Sequence, residues 1–218
     1  MNILRPIAPI VRKLAKIYTA KEREFSYKNI KVKVRPGVFH PGLFISTRIL
    51  LDFVSDLELE KKTFLELGAG SGIISILAAK KGATVHASDI SSIAVENIRL
   101  NAEINNVTIS VYKSDLFESL PEMEFDYIVI NPPYYKKDPI NEAEYAWYCG
   151  QNHEYFTRLF DSLSNHIHKS SKALMILSEV CDIDGITQIG KDRKFDWELI
   201  QRKSVLGEKN YIYNLTIK

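Results

Sequence analysis

The sequence predicts an α/β protein with one doubly wound sheet of seven strands. Most of the sheet is parallel, it ends in an antiparallel hairpin, and a short helix-and-hairpin extension precedes it. Three observations lead there. From Thr63 onward, short β-forming runs alternate with stretches of helical period. Strands separated by helices pair in parallel, because the chain must return over a face of the sheet each time. Near the C-terminus that rhythm stops: "KFDWELIQRKSV" and "KNYIYNLTIK" are both β-rich and only "LGEKN" lies between them, so they form a hairpin.

In chain order, "PIAPIVRKLAKIYTAKER" carries Ile7, Ile10, Val11, Leu14, Ile17 and Tyr18 at helical spacing, an amphipathic helix. "FSYKNIKVKVRPGVF" alternates at Ile30, Val32 and Val34 and stops at Pro36-Gly37, which reads as a strand or hairpin. "STRILLDFVSDL" is helical. "TFLEL" is a buried first strand of the sheet, and "GIISILAAKKG" is a helix ended by Gly82. "ATVHASD" is the second strand, followed by "SSIAVENIRLNAEIN", a helix capped by Ser91 or Ser92. "VTISVYKSD" and "FDYIVI" are the third and fourth strands. The helix "EYFTRLFDSLSNHIH" leads to the fifth, "KALMILSE". We expect an extension over 1–37 and the main domain over 38–218.

At 218 residues and 45% apolar content the chain can build a full core without staples. Cys149 and Cys181 have no metal-ligand spacing around them, so free thiols in a reducing compartment are expected, with no metal. No apolar run reaches membrane-spanning length, and Arg5, Arg12, Lys13 and Lys16 interrupt the N-terminal apolar residues too often for a signal peptide. The expected location is the cytoplasm. Charge is uneven: before residue 39, ten bases face two acids, Glu22 and Glu24, whereas beyond it acids predominate. Such an imbalance suits a polyanionic partner and equally suits a solvated surface.

The chemistry sits at strand ends. "LELGAGSG" sets Gly68, Gly70 and Gly72 on the turn after the first strand, where the backbone bends tightly and a ligand can come close. The spacing is not that of a dinucleotide loop, because Ile73 stands where the third glycine would be. Glu66, two residues before the first glycine, suits a cationic group. Asp89 ends the second strand, where a carboxylate can accept both hydroxyls of a ribose or simply favour a helix N-terminus. Asp115 ends the third strand and can accept from an adenine amino group while Leu116 or Phe117 covers the ring, or it can cap a loop. A nucleoside with a cationic tail and no phosphate is S-adenosylmethionine.

"NPPYY", 131–135, follows the fourth strand. Two prolines there forbid helix and stiffen the chain, while Asn131 offers an amide and the tyrosines flat faces. Together, "ELGAGSG" at 66–72, Asp89, "SDLF" at 114–117 and "NPPY" at 131–134 resemble the class I methyltransferases that modify amino nitrogens: HemK-like glutamine methyltransferases and N6-adenine methyltransferases. The resemblance covers roughly 38–218. It implies a Rossmann-like fold, S-adenosylmethionine as cofactor, and a cofactor site formed by Glu66, Gly68, Ala69, Gly70 and Gly72 on the first turn. Asp89, Ile90, Asp115, Leu116 and Asn131 complete that site.

The implied catalytic residues are Asn131, Pro132, Pro133 and Tyr134. The nitrogen of an amide or aryl amine is a weak nucleophile because its lone pair is delocalised. If the Asn131 oxygen and the Pro132 carbonyl accept its two N–H bonds, the lone pair turns toward the methyl donor while Tyr134 stacks on the planar group. Alignment of this kind is worth roughly 7–11 kcal/mol and needs no protein nucleophile. The acceptor is an RNA adenine (rRNA or tRNA) or a protein glutamine. DNA fits less well, since no separate recognition segment is visible and flipping a paired base costs a few kcal/mol. Two other readings are a non-catalytic S-adenosylmethionine-binding subunit that stabilises a partner, and a nucleotide-dependent oxidoreductase. The intact "NPPY" speaks against the first and the glycine spacing against the second. Of the five histidines only His40 falls near the site, and Trp147 and Trp197 are expected to pack rather than to stack on substrate.

Overall fold

The computed structural model describes residues 20–217. The amphipathic helix expected over 6–23 falls almost wholly outside that range. A hairpin comes first, β1 (Arg23–Tyr27) and β2 (Ile30–Val34), joined by Lys28-Asn29 with Lys28 at φ 52°. Ile30, Val32 and Val34 are buried, so the alternating pattern marks a face packed on the body. Beyond a short 3₁₀ turn at Pro41–Leu43, helix α1 (Ile45–Ser55) leads to the sheet.

The sheet strands are β3 (Thr63–Leu67), β4 (Thr84–Asp89), β5 (Ser110–Lys113), β6 (Tyr127–Ile130), β7 (Lys172–Ser178), β8 (Phe195–Val205) and β9 (Glu208–Ile217). Their spatial order is β5-β4-β3-β6-β7-β9-β8, parallel from β5 through β7, with β9 antiparallel to both of its neighbours. The doubly wound sheet and its terminal hairpin are as the sequence predicts. The hairpin strands are longer than expected, since β9 begins at Glu208 and only Leu206-Gly207 forms the turn, both at positive φ.

The helices are α2 (Ile73–Lys80), α3 (Ser92–Ile104), α4 (Glu154–Leu163) and α5 (Ile183–Asp192). Helices α1 and α2 and strand β2 bury Leu50, Ile76 and Val32 against Phe64, Val129 and Ile212 on one face of the sheet. Helix α4 packs Phe156, Leu159 and Phe160 against Leu65, Ile128 and Met175 on the other. Helix α5, which adds Ile186 to that second core, is a finding beyond the sequence reading. Its Gly185, Thr187 and Gly190 are weak helix formers and hid its period.

The hairpin is bolted to α3 by a ladder of asparagines at i, i+4 and i+8. The oxygens of Asn97, Asn101 and Asn105 accept from the backbone N–H of Arg35, Lys33 and Lys31 at 2.9, 2.8 and 3.2 Å. Their amide nitrogens donate back to the Lys33 and Lys31 carbonyls. Asn101 also donates to the Ser71 carbonyl at 2.9 Å, which ties the hairpin to the glycine loop. Side chains thus satisfy one edge of β2 as a neighbouring strand would.

Candidate active site

Chain order reverses between β3 and β6, and open α/β sheets bind ligands where strand order switches, outside the C-terminal strand ends. A cleft of about 1220 Å³, its open mouth included, lies there. Glu66, Asp89, Asp115 and Asn131, from the ends of β3, β4, β5 and β6, all line it, as do Gly68, Ala69, Gly70, Ile90, Leu116 and Pro132 through Tyr134. Phe117, stacked on the His166 ring with centres 4.5 Å apart, does not line it, and neither does Gly72. Gly72 sits at the N-terminus of α2 with φ 75°, and a Cβ there would stand 3.0 Å from Cγ2 of Ile98. Its role here is the close approach of α2 to α3. Gly68, by contrast, has φ 75° and nothing within 4 Å of a Cβ position, so a side chain would project into open space.

The acids of this floor are already held. One Glu66 oxygen accepts from the backbone N–H of Ser75 at 2.7 Å and from the Ser75 hydroxyl, so the carboxyl also caps the first turn of α2. Burial pushes the Glu66 pKa up to about 8, offset in part by the two Ser75 bonds. Asp89 accepts from Gly70 N–H at 2.8 Å with one oxygen and from Ser91 N–H at 2.9 Å with the other. It therefore fixes the glycine loop and the start of α3 at once, and burial raises its pKa too. Two buried acids that repel each other line this floor, which suits a cation. Asp115 is held from outside by Arg158 at 2.8 Å, an ion pair that leaves its second oxygen for a donor. The Ser114 hydroxyl donates to the Leu116 carbonyl and accepts from Ser119 N–H, which folds this turn with Leu116 at φ 50°.

The opposite wall was less legible. The Asn131 amide nitrogen lies 3.5 Å from the Thr47 hydroxyl of α1, and both residues line the cleft. Tyr134 is partly buried, and burial raises its pKa. The segment 135–150 arches over the mouth, closed at its base by Tyr135 N–H to the Trp147 carbonyl at 3.0 Å and Cys149 N–H to the Tyr135 carbonyl at 3.0 Å. Trp147 lines the cleft and clusters with Phe39 and Phe44, ring centres 5.3 and 5.0 Å away. Sequence reasoning gave Trp147 only a packing role, because nothing periodic surrounds it. Thr47, Phe39 and Tyr155 are further lining residues it missed. His40 is buried and accepts from Gly42 N–H through Nδ1 at 3.1 Å, away from the cleft lining. Both cysteines are buried and free, and burial pushes their thiols up to about 11 for Cys149 and about 12 for Cys181.

The profile of the family described as "Methyltransferase small domain" matches residues 29–146. A protein of Methanocaldococcus jannaschii named "Putative protein N5-glutamine methyltransferase" is 35% identical over 196 residues, 86% of this chain and 95% of that protein. The chain belongs to the methyltransferase small domain family. This methyltransferase shares its fold with solved relatives. The E. cuniculi Mtq2-Trm112 complex, described as responsible for methylation of the eRF1 translation termination factor, superposes with a TM-score of 0.64 at 22% identity, covering 84% of this chain and 99% of that one. The T. thermophilus 16S rRNA N2 G1207 methyltransferase, solved with AdoMet and guanosine, gives 0.66 at 19% identity over 89% of this chain but only 50% of that one. The methyltransferase uses S-adenosylmethionine, and the acidic floor and open glycine cradle fit its cationic, phosphate-free chemistry. Among the described residues, no helix is long and apolar enough to cross a membrane.

Proposed function

We propose that this methyltransferase modifies a planar nitrogen, the side-chain amide of a glutamine in a protein. The observation that carries the reading is Asn131: it follows β6 in the cleft wall, its amide nitrogen lies 3.5 Å from the Thr47 hydroxyl, and with that nitrogen engaged its carbonyl oxygen would be left for an acceptor. When bound, S-adenosylmethionine supplies the transferable methyl group. Glu66, Asp89 and Asp115 would hold its cationic and nucleoside parts, with Gly68 and Gly70 allowing close approach. Asn131 Oδ1 and the Pro132 carbonyl would accept the two N–H bonds of the acceptor amide, draw its nitrogen out of conjugation and fix its direction. Tyr134 would stack on the amide plane, and the Phe39, Phe44 and Trp147 cluster would exclude water. No protein base is required, because the nitrogen becomes acidic as its new bond forms.

A protein acceptor is favoured over RNA for two reasons. The relative named for glutamine methylation matches nearly end to end, whereas the rRNA enzyme is matched over half its length. Cations near the mouth are also neutralised, Lys136 by Asp182 at 2.6 Å and Lys137 by Glu144 at 3.4 Å, which weakens any phosphate track. The test is methyl transfer to a glutamine-containing polypeptide and to an adenosine oligonucleotide, with products identified by mass spectrometry. The expected product is N5-methylglutamine; methylation confined to the oligonucleotide would overturn the protein assignment.

A further inference from the structure

A second cavity of about 570 Å³, its open side included, lies on the far side of Tyr134 and Tyr135 from the cofactor floor. Its walls include Phe44, Ile45 and Ser46 at the start of α1, with Val180 after β7 and Glu208 at the start of β9. Three features single it out. The cap residue of α1 is Phe44, so among the described residues no cap side chain bonds to its N-terminus. Ser46 is 95% buried, with 5% of its surface exposed, and its hydroxyl has no hydrogen-bond partner among the described residues. Across from these donors stands the Glu208 carboxylate, oriented by the Ser178 hydroxyl, which donates to one of its oxygens at 2.6 Å. Ser46 and Thr47 are adjacent, so the cavity opens beside the residue that contacts Asn131.

This donor and acceptor set selects by charge. A phosphate would suit the helix N-terminus and the hydroxyl but meet Glu208 at close range. An ammonium would suit Glu208 but face the positive end of α1. A neutral peptide unit offers a carbonyl to the first wall and an N–H to the second. We infer that this cavity binds one main-chain peptide group of the acceptor polypeptide next to the modified glutamine, Ser46 donating to its carbonyl and Glu208 accepting its N–H. The inference rests on the glutamine reading and extends it: acceptor backbone, not side-chain identity, would seat the chain beside Tyr134. The apolar walls Phe44, Ile45 and Val180 would cover small flanking side chains.

The experiment uses the full chain with S-adenosylmethionine and a synthetic acetylated, amidated peptide containing one glutamine. A second set of peptides replaces the flanking backbone N–H groups one at a time by N-methyl. In the wild-type enzyme one such replacement should raise KM about tenfold or more, since it removes a hydrogen bond to a charged acceptor, while kcat changes far less. Glu208→Ala should raise KM for the unmodified peptide by a similar factor and abolish the penalty of that N-methyl group. Ser46→Ala should raise KM about threefold to tenfold, the cost of one neutral hydrogen bond. Cofactor titration checks that each variant is folded. If no N-methyl position matters in the wild type, or if its penalty persists in Glu208→Ala, the peptide-group assignment is overturned while the glutamine reading stands. If the unmodified peptide is not methylated and an adenosine oligonucleotide is, the glutamine reading falls and the inference with it.

Discussion

The two walls of the candidate active site are finished to different degrees. On the cofactor side, every acid is already engaged: Glu66 by Ser75, Asp89 by Gly70 and Ser91, Asp115 by Arg158. On the acceptor side, among the described residues, the Asn131 side chain has one hydrogen-bond contact at 3.5 Å, the Ser46 hydroxyl has none, and Val180 is half exposed. A site whose charges are fixed in advance binds without reorganising, and that suits a cofactor used in every turnover. A side with unmet polar groups is completed by what binds there. The contrast assigns affinity to one wall and alignment to the other, and it can be broken from either direction.

The largest effect should come from the acceptor wall. Asn131→Ala should slow methyl transfer by roughly a hundredfold to a thousandfold, about 2.7–4 kcal/mol, the cost of losing one preorganised partner of the reacting group. Single-turnover rates at saturating cofactor measure it. On the cofactor wall, Glu66 titrates near neutrality in the free protein because burial raises its pKa from 4.5 to about 8. A raised folded-state pKa gives stability that is fully present below pH 4.5 and lost as pH rises through about 8. Glu66→Gln should therefore flatten the decline of stability over that range, as measured by denaturant titration at several pH values. Cofactor binding should release a proton near pH 7, read by calorimetry in buffers of different ionisation enthalpy; uptake of a proton, or none, would contradict the cationic partner.

Asp89→Ala should weaken cofactor binding by about 1.5–3 kcal/mol, the loss of a charged acceptor, as measured by calorimetric titration. The smallest effect is at Gly72. Placing alanine at φ 75° against Ile98 should cost about 1–2 kcal/mol and lower Tm by a few degrees, leaving cofactor affinity within about threefold. A larger loss of affinity than of stability would return Gly72 to the cofactor site.

The cofactor wall was legible because its parts are local. Strand, glycine turn and helix follow one another within a few residues, and an acid at each strand end is visible in one dimension. Alternation of β-forming and helical runs likewise exposed the parallel sheet and its terminal hairpin. The acceptor wall is assembled from distant segments: Ser46 and Thr47 from α1, Trp147 from an arch without periodicity, Glu208 from beyond a two-residue turn. None of these positions carries a pattern of its own. Helix α5 was hidden by its glycines and the role of Gly72 by its neighbours in the loop, since a glycine needed for helix packing reads like one needed for a ligand. The asparagine ladder on α3 shows the same limit. Its spacing is helical, but only the docked hairpin shows what the amides are for.

One paired measurement tests the division of labour most directly: cofactor dissociation constant and single-turnover rate, determined on the same preparations of Asn131→Ala and Asp89→Ala. The two effects should separate. Asn131→Ala should bind S-adenosylmethionine within about threefold of wild type yet lose most of its rate, and Asp89→Ala should lose affinity while keeping most of its rate once the cofactor is saturating. If Asn131→Ala turned over at the wild-type rate, or if both substitutions weakened cofactor binding equally, the two walls would not hold the separate roles assigned to them.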